Sequence, residues 1–226
     1  VIPAFNDEAT IGRVVRDLAD HGVAAIVVDD GSGDGTAETA ARAGARVVRH
    51  GENRGKGAAL ASGIRLALAL GARAVVTLDG DGQHRASDAA RLLRERDALD
   101  LDLLVGDRLA EPGPMPLVRL ATNVTMSLLL AALFGTRVRD SQCGLRVASA
   151  RLLERARLAC VRFEVESELL IEARRLRARI GSRPIATLYP PEGASRIRPI
   201  VDAVRFARLV LARVGGAAPA APPLGA

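Results

Sequence analysis

The chain has 226 residues, 49% of them hydrophobic, enough for one substantial core and, at this length, one domain. Lys and Arg outnumber Asp and Glu by 32 to 26, and the net charge of +6 favours an anionic partner, although an Ala- and Arg-rich composition alone gives the same balance. With 2% aromatics and no Trp the chain lacks the stacking platforms of single-stranded nucleic-acid binders, and its two cysteines fit neither a disulfide framework nor a zinc site.

Val1-Ile2-Pro3 reads as the end of a strand, with no charged-then-apolar leader before it. Asn6 or Asp7 caps a helix through Ile11, Val14, Val15 and Leu18 that Gly22 ends. Residues 24–28 form a continuous apolar strand leading to Asp29 and Asp30, then the turn Gly31-Ser32-Gly33-Asp34-Gly35 and a helix opening at Thr36. The pattern repeats: a strand at 45–48, a loop at 51–55, a helix at 56–70, and a buried strand at 74–78 that delivers Asp79-Gly80-Asp81-Gly82-Gln83-His84. A helix then starts near Ser87, and a strand at 101–105 ends in Gly106-Asp107-Arg108. Alternating strands and helices predict an α/β fold, a mostly parallel central sheet with helices on both faces.

Beyond this point the alternation loosens. A helical pattern at 116–134 leads to the loop Arg139-Asp140-Ser141-Gln142-Cys143-Gly144, a helix at 163–178 carries Glu164, Glu166 and Glu168 where the macrodipole favours acids, and 185–188 reads as a short strand. Residues 200–214 are amphipathic, so one domain is expected over 1–214, with 215–226 a disordered tail. The uncharged run 120–136 is shorter than the roughly 20 apolar residues of a spanning helix, which makes the protein soluble or peripheral.

In an open α/β sheet ligands bind outside the carboxyl ends of the strands, where Asp29, Asp30, Asp79, Asp81, Gln83 and Arg108 all fall. Alternate side chains of Asp79-x-Asp81-x-Gln83 share one side of an extended segment, a hard-oxygen set suited to Mg²⁺ or Mn²⁺ on a nucleotide diphosphate. A solvated acidic turn has the same look. Asp30 can accept hydrogen bonds from a base or ribose, and Lys56 at a helix start can meet an anion, without the full phosphate-loop spacing. His84 reads as a hydrogen-bonding residue beside the metal, His21 and His50 as incidental, Cys143 as a small buried residue, and the three glutamates as helix-end charge.

Val1-Ile2-Pro3-Ala4-Phe5-Asn6, Val28-Asp29-Asp30-Gly31-Ser32, Asn53-Arg54-Gly55-Lys56-Gly57 and Asp79-Gly80-Asp81-Gly82-Gln83-His84, in this order and spacing, resemble the family 2 glycosyltransferases. Gly106-Asp107-Arg108, Arg119, Asp140-Ser141-Gln142-Cys143-Gly144-Leu145-Arg146, Phe163-Glu164-Val165-Glu166 and Ser195-Arg196 are similar to the dolichyl- or polyprenyl-phosphate sugar synthase branch. The resemblance implies a GT-A fold, a nucleotide-sugar donor such as GDP-mannose or UDP-glucose, inversion at the anomeric carbon and a polyprenyl-phosphate acceptor. It implies that Pro3, Phe5, Asp7, Val28 and Asp30 surround the base and ribose, with Lys56 and Asp79 toward the nucleotide. Asp79, Asp81 and Gln83 would hold the metal, Arg108, Arg119 and Arg196 would meet phosphate, and Asp140 would lie near the reacting centre.

The chain has Asp7 where the family usually has Glu, Phe5 for Tyr, Asp107 for Ser and Arg196 for Lys. A phosphate monoester is anionic at neutral pH and attacks without a general base, so neutralising charge is the main catalytic task. The alternatives are transfer to a saccharide hydroxyl, with Asp140 as the base, and a non-catalytic nucleotide-sugar-binding protein. The helical segments 116–134 and 200–214 can lie on a bilayer through their apolar faces, which places the protein peripherally at the cytoplasmic face of a membrane or in the cytoplasm, with no nucleic-acid partner.

Overall fold

The computed structural model describes residues 1–110, 115–188, 199–215 and 221–225. In chain order the elements are β1 (Ile2–Ala4), α1 (Glu8–Asp20), β2 (Ile26–Asp29), α2 (Thr36–Arg42), β3 (Arg46–Arg49), α3 (Lys56–Ala69), β4 (Ala74–Thr77) and α4 (Ala86–Ala98). There follow β5 (Leu103–Asp107), α5 (Leu117–Phe134), β6 (Arg146–Ser149), α6 (Ala150–Arg155), α7 (Val165–Arg175), β7 (Ile180–Pro184) and α8 (Pro199–Val214).

β1, β2 and β3 pair in parallel, with Val27 facing Ile2 on one side and Val47 on the other. The Val1 nitrogen donates to the Val76 carbonyl at 2.6 Å and Leu78 N–H to the Val1 carbonyl at 3.3 Å, which sets β4 beside β1. The sheet continues as β4-β6-β5-β7, with β6 antiparallel to both neighbours and β7 parallel to β5. Val27 and Val28 are both fully buried, as a continuous apolar run requires when helices cover both faces. α1 packs on α2 and α4, while α3 lies against β1 and β2 and meets α6.

The second half corrects the sequence reading. β6 and β7 were not expected, whereas 185–188 contributes only a bridge between Thr187 and His84. The tail is not wholly without structure: Leu224 is buried, and its N–H donates to the Ala156 carbonyl at 3.1 Å.

One close approach fixes the site. The Val161 carbonyl accepts from Gly57 N–H at 2.9 Å and Ala58 N–H at 3.3 Å, capping the first turn of α3 with the segment ahead of α7. A Cβ on Gly57 would stand 2.1 Å from the Cys160 carbonyl oxygen. Gly57→Ala therefore forces two backbones apart, and a loss of about 2–3 kcal/mol is expected in urea unfolding, the scale of overpacking in a tight interior.

Candidate active site

The carboxyl end of β4 carries the acidic loop. Asp79 and Asp81 lie close enough for their charges to interact, and Asp7 from the β1–α1 connection adds a third negative charge near Asp81. Gly144 allows this packing, because a Cβ there would sit 2.7 Å from Asp79 Oδ2. Lys56 Nζ lies 2.6 Å from Asp79 Oδ1 and 2.6 Å from Glu166 Oε1, with the Phe163 ring centre 5.6 Å away.

Burial opposes charge on both Lys56 and Asp79, yet each stabilises the other. The Lys56 ammonium is held well above its usual range against Asp79 and Glu166, and the Asp79 carboxyl falls to about 2. Asp81 moves the other way, raised by desolvation and then by the like charge of Asp79. His84 is buried and pushed down to about 4, mainly by desolvation, so its ring is neutral at pH 7. Its Nε2 lies 3.9 Å from Asp79 Oδ2.

Among the described residues no three His, Cys, Asp or Glu side chains form a ready-made metal cage. What is present is an exposed Asp81 whose charge is disfavoured by its neighbour, an ionised Asp79, and a neutral imidazole whose buried Nδ1 has no hydrogen-bond partner among the described residues. Asp79 and Asp81 are hard oxygen donors of the kind that would suit a divalent ion such as Mg²⁺ or Mn²⁺. The hydrogen bonds of Gln83 run through its backbone, N–H to Asp81 Oδ1 at 3.0 Å and carbonyl from Leu188 N–H at 2.9 Å.

At the nucleotide end, two expectations change. The Val28 side chain is wholly interior, packed against Gly63, and has no surface for a ligand. Asp30 is also buried and committed within the protein: its carboxylate accepts from Arg54 N–H at 3.0 Å and Gly55 N–H at 2.7 Å, and pairs with His50 Nδ1 at 2.7 Å. Asp30 thus shapes the 50–55 loop, and His50, expected to be incidental, joins Asp30 to Ser62 Oγ at 3.0 Å. Pro3 and Phe5 are partly exposed, while Asp7 turns back to accept from Phe5 N–H at 3.0 Å. The start of α3 offers no open anion cradle at Gly57 and Ala58, because Val161 already takes those amides.

Arg108 and Asp140 meet each other. The guanidinium donates from Nε at 2.7 Å and from Nη2 at 3.0 Å, and Arg108 N–H adds a contact at 3.2 Å. Asp140 has no exposed surface, so a general-base role does not suit it; its geometry is that of a clamp on Arg108. The same loop is stapled by Arg146, fully buried, whose guanidinium donates to the carbonyls of Cys143, Ser141 and Glu166. Cys143 is buried as expected, its thiol pushed up to about 12 by desolvation.

Glu166 and Glu168 stand in the first turn of α7, where helix-end charge is expected, but they do more than that. Glu166 and Glu168 are buried: Glu166 holds Lys56, and Glu168 accepts from Ala159 and Cys160 N–H and pairs with Arg213 of α8. The signal available was the Phe163-Glu164-Val165-Glu166 motif, to which no role had been given.

α5 is partly inverted relative to a helix on a water-soluble core. Beside the fully buried Leu130, its inward side carries a polar line: Arg119, Asn123 and Ser127 follow one another at four-residue steps, and Ser127 Oγ bonds to Ser141 Oγ at 2.9 Å. Arg119 Nε and Asn123 Nδ2 are buried and have no hydrogen-bond partner among the described residues. Its outward side exposes Leu117, Val118, Leu128, Leu129 and Leu133. The 18-residue helix has mean hydropathy 1.7 and only 17% of it is buried, so by length and composition alone it is long and apolar enough to cross a membrane, contrary to the reading from the uncharged run. Arg196 lies outside the described residues.

The family model "Glycosyl transferase family 2" matches residues 1–161. The chain is 32% identical to UDP-N-acetylglucosamine–dolichyl-phosphate N-acetylglucosaminyltransferase of Methanococcus voltae over 95% of each chain. It is 30% identical to polyprenol monophosphomannose synthase of Mycolicibacterium smegmatis, over 71% of this chain and 64% of that one. Among solved structures, glucosyl-3-phosphoglycerate synthase of Mycobacterium tuberculosis with Mn²⁺, UDP-glucose and phosphoglyceric acid superposes with a TM-score of 0.70 at 26% identity, covering 96% of this chain and 77% of that one.

Proposed function

The chain belongs to the family 2 glycosyltransferases and has their GT-A fold, and from that premise we propose that it transfers a hexose from UDP-glucose or GDP-mannose to a polyprenyl or dolichyl phosphate, with inversion, at the cytoplasmic face of a membrane. The observation that carries the acceptor assignment is the inverted α5. Arg119 Nε and Asn123 Nδ2, without partners among the described residues, line its inner side while apolar side chains cover its outer one, so a phosphate can be met inside and a hydrocarbon chain outside. The names of the archaeal dolichyl-phosphate and mycobacterial polyprenol relatives support the same acceptor class.

In this reading an acceptor phosphate oxygen attacks the anomeric carbon, the bond from that carbon to the diphosphate breaks, and the nucleoside diphosphate leaves. Asp79 and Asp81, with Gln83 alongside, would hold Mg²⁺ or Mn²⁺, which when bound supplies positive charge to the departing diphosphate. Pro3, Phe5 and Asp7 border the nucleoside. Asp140 orients Arg108, and with Arg119 and Arg196 this gives cationic groups for two anionic substrates. No proton needs to be taken from the attacking oxygen, which agrees with the buried state of Asp140. The same burial supports a lipid phosphate over a saccharide hydroxyl that would need Asp140 as its base.

Radiolabelled UDP- and GDP-sugars offered with polyprenyl phosphate in anionic vesicles, or with oligosaccharide, test the proposal. Label is expected in the lipid extract; label in oligosaccharide alone would refute it, and co-sedimentation with the vesicles checks the membrane contact. Arg119→Ala is expected to raise KM for lipid phosphate about 10- to 100-fold, the value of one charged hydrogen bond, with donor KM little changed.

A further inference from the structure

Lys56 occupies an unusual place. It reaches from the start of α3 to within 2.6 Å of two carboxylates, Asp79 on the acidic loop and Glu166 on α7, and only 15% of its side chain is exposed. Its position is over-determined. Gly55 N–H is held by the Asp30 carboxylate at 2.7 Å, Gly57 N–H is capped by the Val161 carbonyl at 2.9 Å, and the Phe163 ring lies beside the ammonium. The charge is firmly retained, since both carboxylates favour the ammonium over the amine.

Asp79 is thus neutralised from within, while Asp81 is left exposed and electrostatically disfavoured. A divalent ion approaching the pair meets a fixed positive charge on one of its two carboxylates, in surroundings where charges are weakly screened. A nucleotide diphosphate brings negative charge that both the ion and Lys56 can use. We propose that Lys56 holds the place of the divalent cation at Asp79 until the nucleotide diphosphate arrives, so that ion and nucleotide bind cooperatively and Glu166 keeps the displaced ammonium in the site. This rests on the reading of the acidic loop as a metal and nucleotide site. By thermodynamic reciprocity, whatever factor the nucleotide adds to metal affinity the metal adds to nucleotide affinity.

The test is Mn²⁺ binding to the full chain by calorimetry or by electron paramagnetic resonance of the free ion, alone and with saturating UDP or GDP. The unmodified chain is expected to bind Mn²⁺ weakly alone and at least about tenfold more tightly with nucleotide, a gain of about 1.4 kcal/mol. Lys56→Gln, which removes the charge and keeps a polar side chain, is expected to bind Mn²⁺ alone at least tenfold more tightly than the unmodified chain, with the nucleotide effect shrinking toward one. Lys56→Arg keeps the charge and is expected to keep the weak binding.

Arg85→Gln removes an exposed charge next to the same loop and is the control for the general field. If Arg85→Gln gains as much as Lys56→Gln, or if Lys56→Gln gains nothing while UDP or GDP still binds with metal, the proposal is overturned and the site reading stands. If no variant binds either nucleotide with or without Mn²⁺, both fall. Should Lys56→Gln not fold, Lys56→Met, an uncharged and unbranched side chain beside the Phe163 ring, gives the same comparison.

Discussion

Asp81→Asn is expected to lower sugar transfer on the order of a thousandfold while leaving the fold intact, a loss in keeping with removing metal-centred stabilisation of a departing diphosphate. The separation of the two effects comes from where Asp81 stands. Its side chain is exposed at the sheet edge, and its one described hydrogen bond is from Gln83 N–H, which an amide oxygen can still accept. Relief of the repulsion with Asp79 makes the variant slightly more stable, so the thermal midpoint is expected to hold or rise. Mn²⁺-dependent retention of UDP or GDP is expected to vanish together with activity. Activity near that of the unmodified chain would remove the acidic loop from the chemistry.

Asp140→Ala acts through the interior. The carboxylate is fully buried and receives three hydrogen bonds from Arg108 and one from Gln142 N–H, so its removal takes from a guanidinium of 5% exposure the carboxylate that clamps it. Loss of one partner of such a pair costs about 3–5 kcal/mol, and urea unfolding is expected to record a drop of that size together with a large fall in turnover. Asp140→Asn keeps the shape and part of the hydrogen bonding, and is expected to recover part of both. A residue serving only as a general base would behave otherwise: its amide variant would lose turnover at unchanged stability.

How far this architecture can be read in advance depends on what each segment asks of its own residues. β2 and β4 are legible because Val27-Val28 and Val75-Val76 are buried by helices on both faces, and such strands declare themselves as short apolar runs ending in acids and glycines. β6 hides because it begins with Arg146, a charge made tolerable inside by the carbonyls of Ser141 and Cys143 in the loop just before it and of Glu166 in α7. β7, Ile-Gly-Ser-Arg-Pro, is partly exposed along its length and has no apolar alternation to betray it.

The site divides in the same way. Asp79, Asp81 and Arg108 were visible from their position after strands. The burial of Asp30 and Val28, and the capture of Glu166 by Lys56, depend on which loop folds over which, and that information lies in contacts between segments more than 20 residues apart. His50 shows the limit well: a lone histidine after a strand carries no local signal, yet its ring ties Asp30 to α3.

The inside-out character of α5 also governs how the protein behaves when no bilayer is offered. In plain buffer the leucine stripe has only water or a second copy to face, so concentrated solutions are expected to self-associate and detergent micelles to reverse it, which light scattering checks. The side chains that would prepare the enzyme for a greasy substrate are then also those that limit how long it stays monodisperse without one.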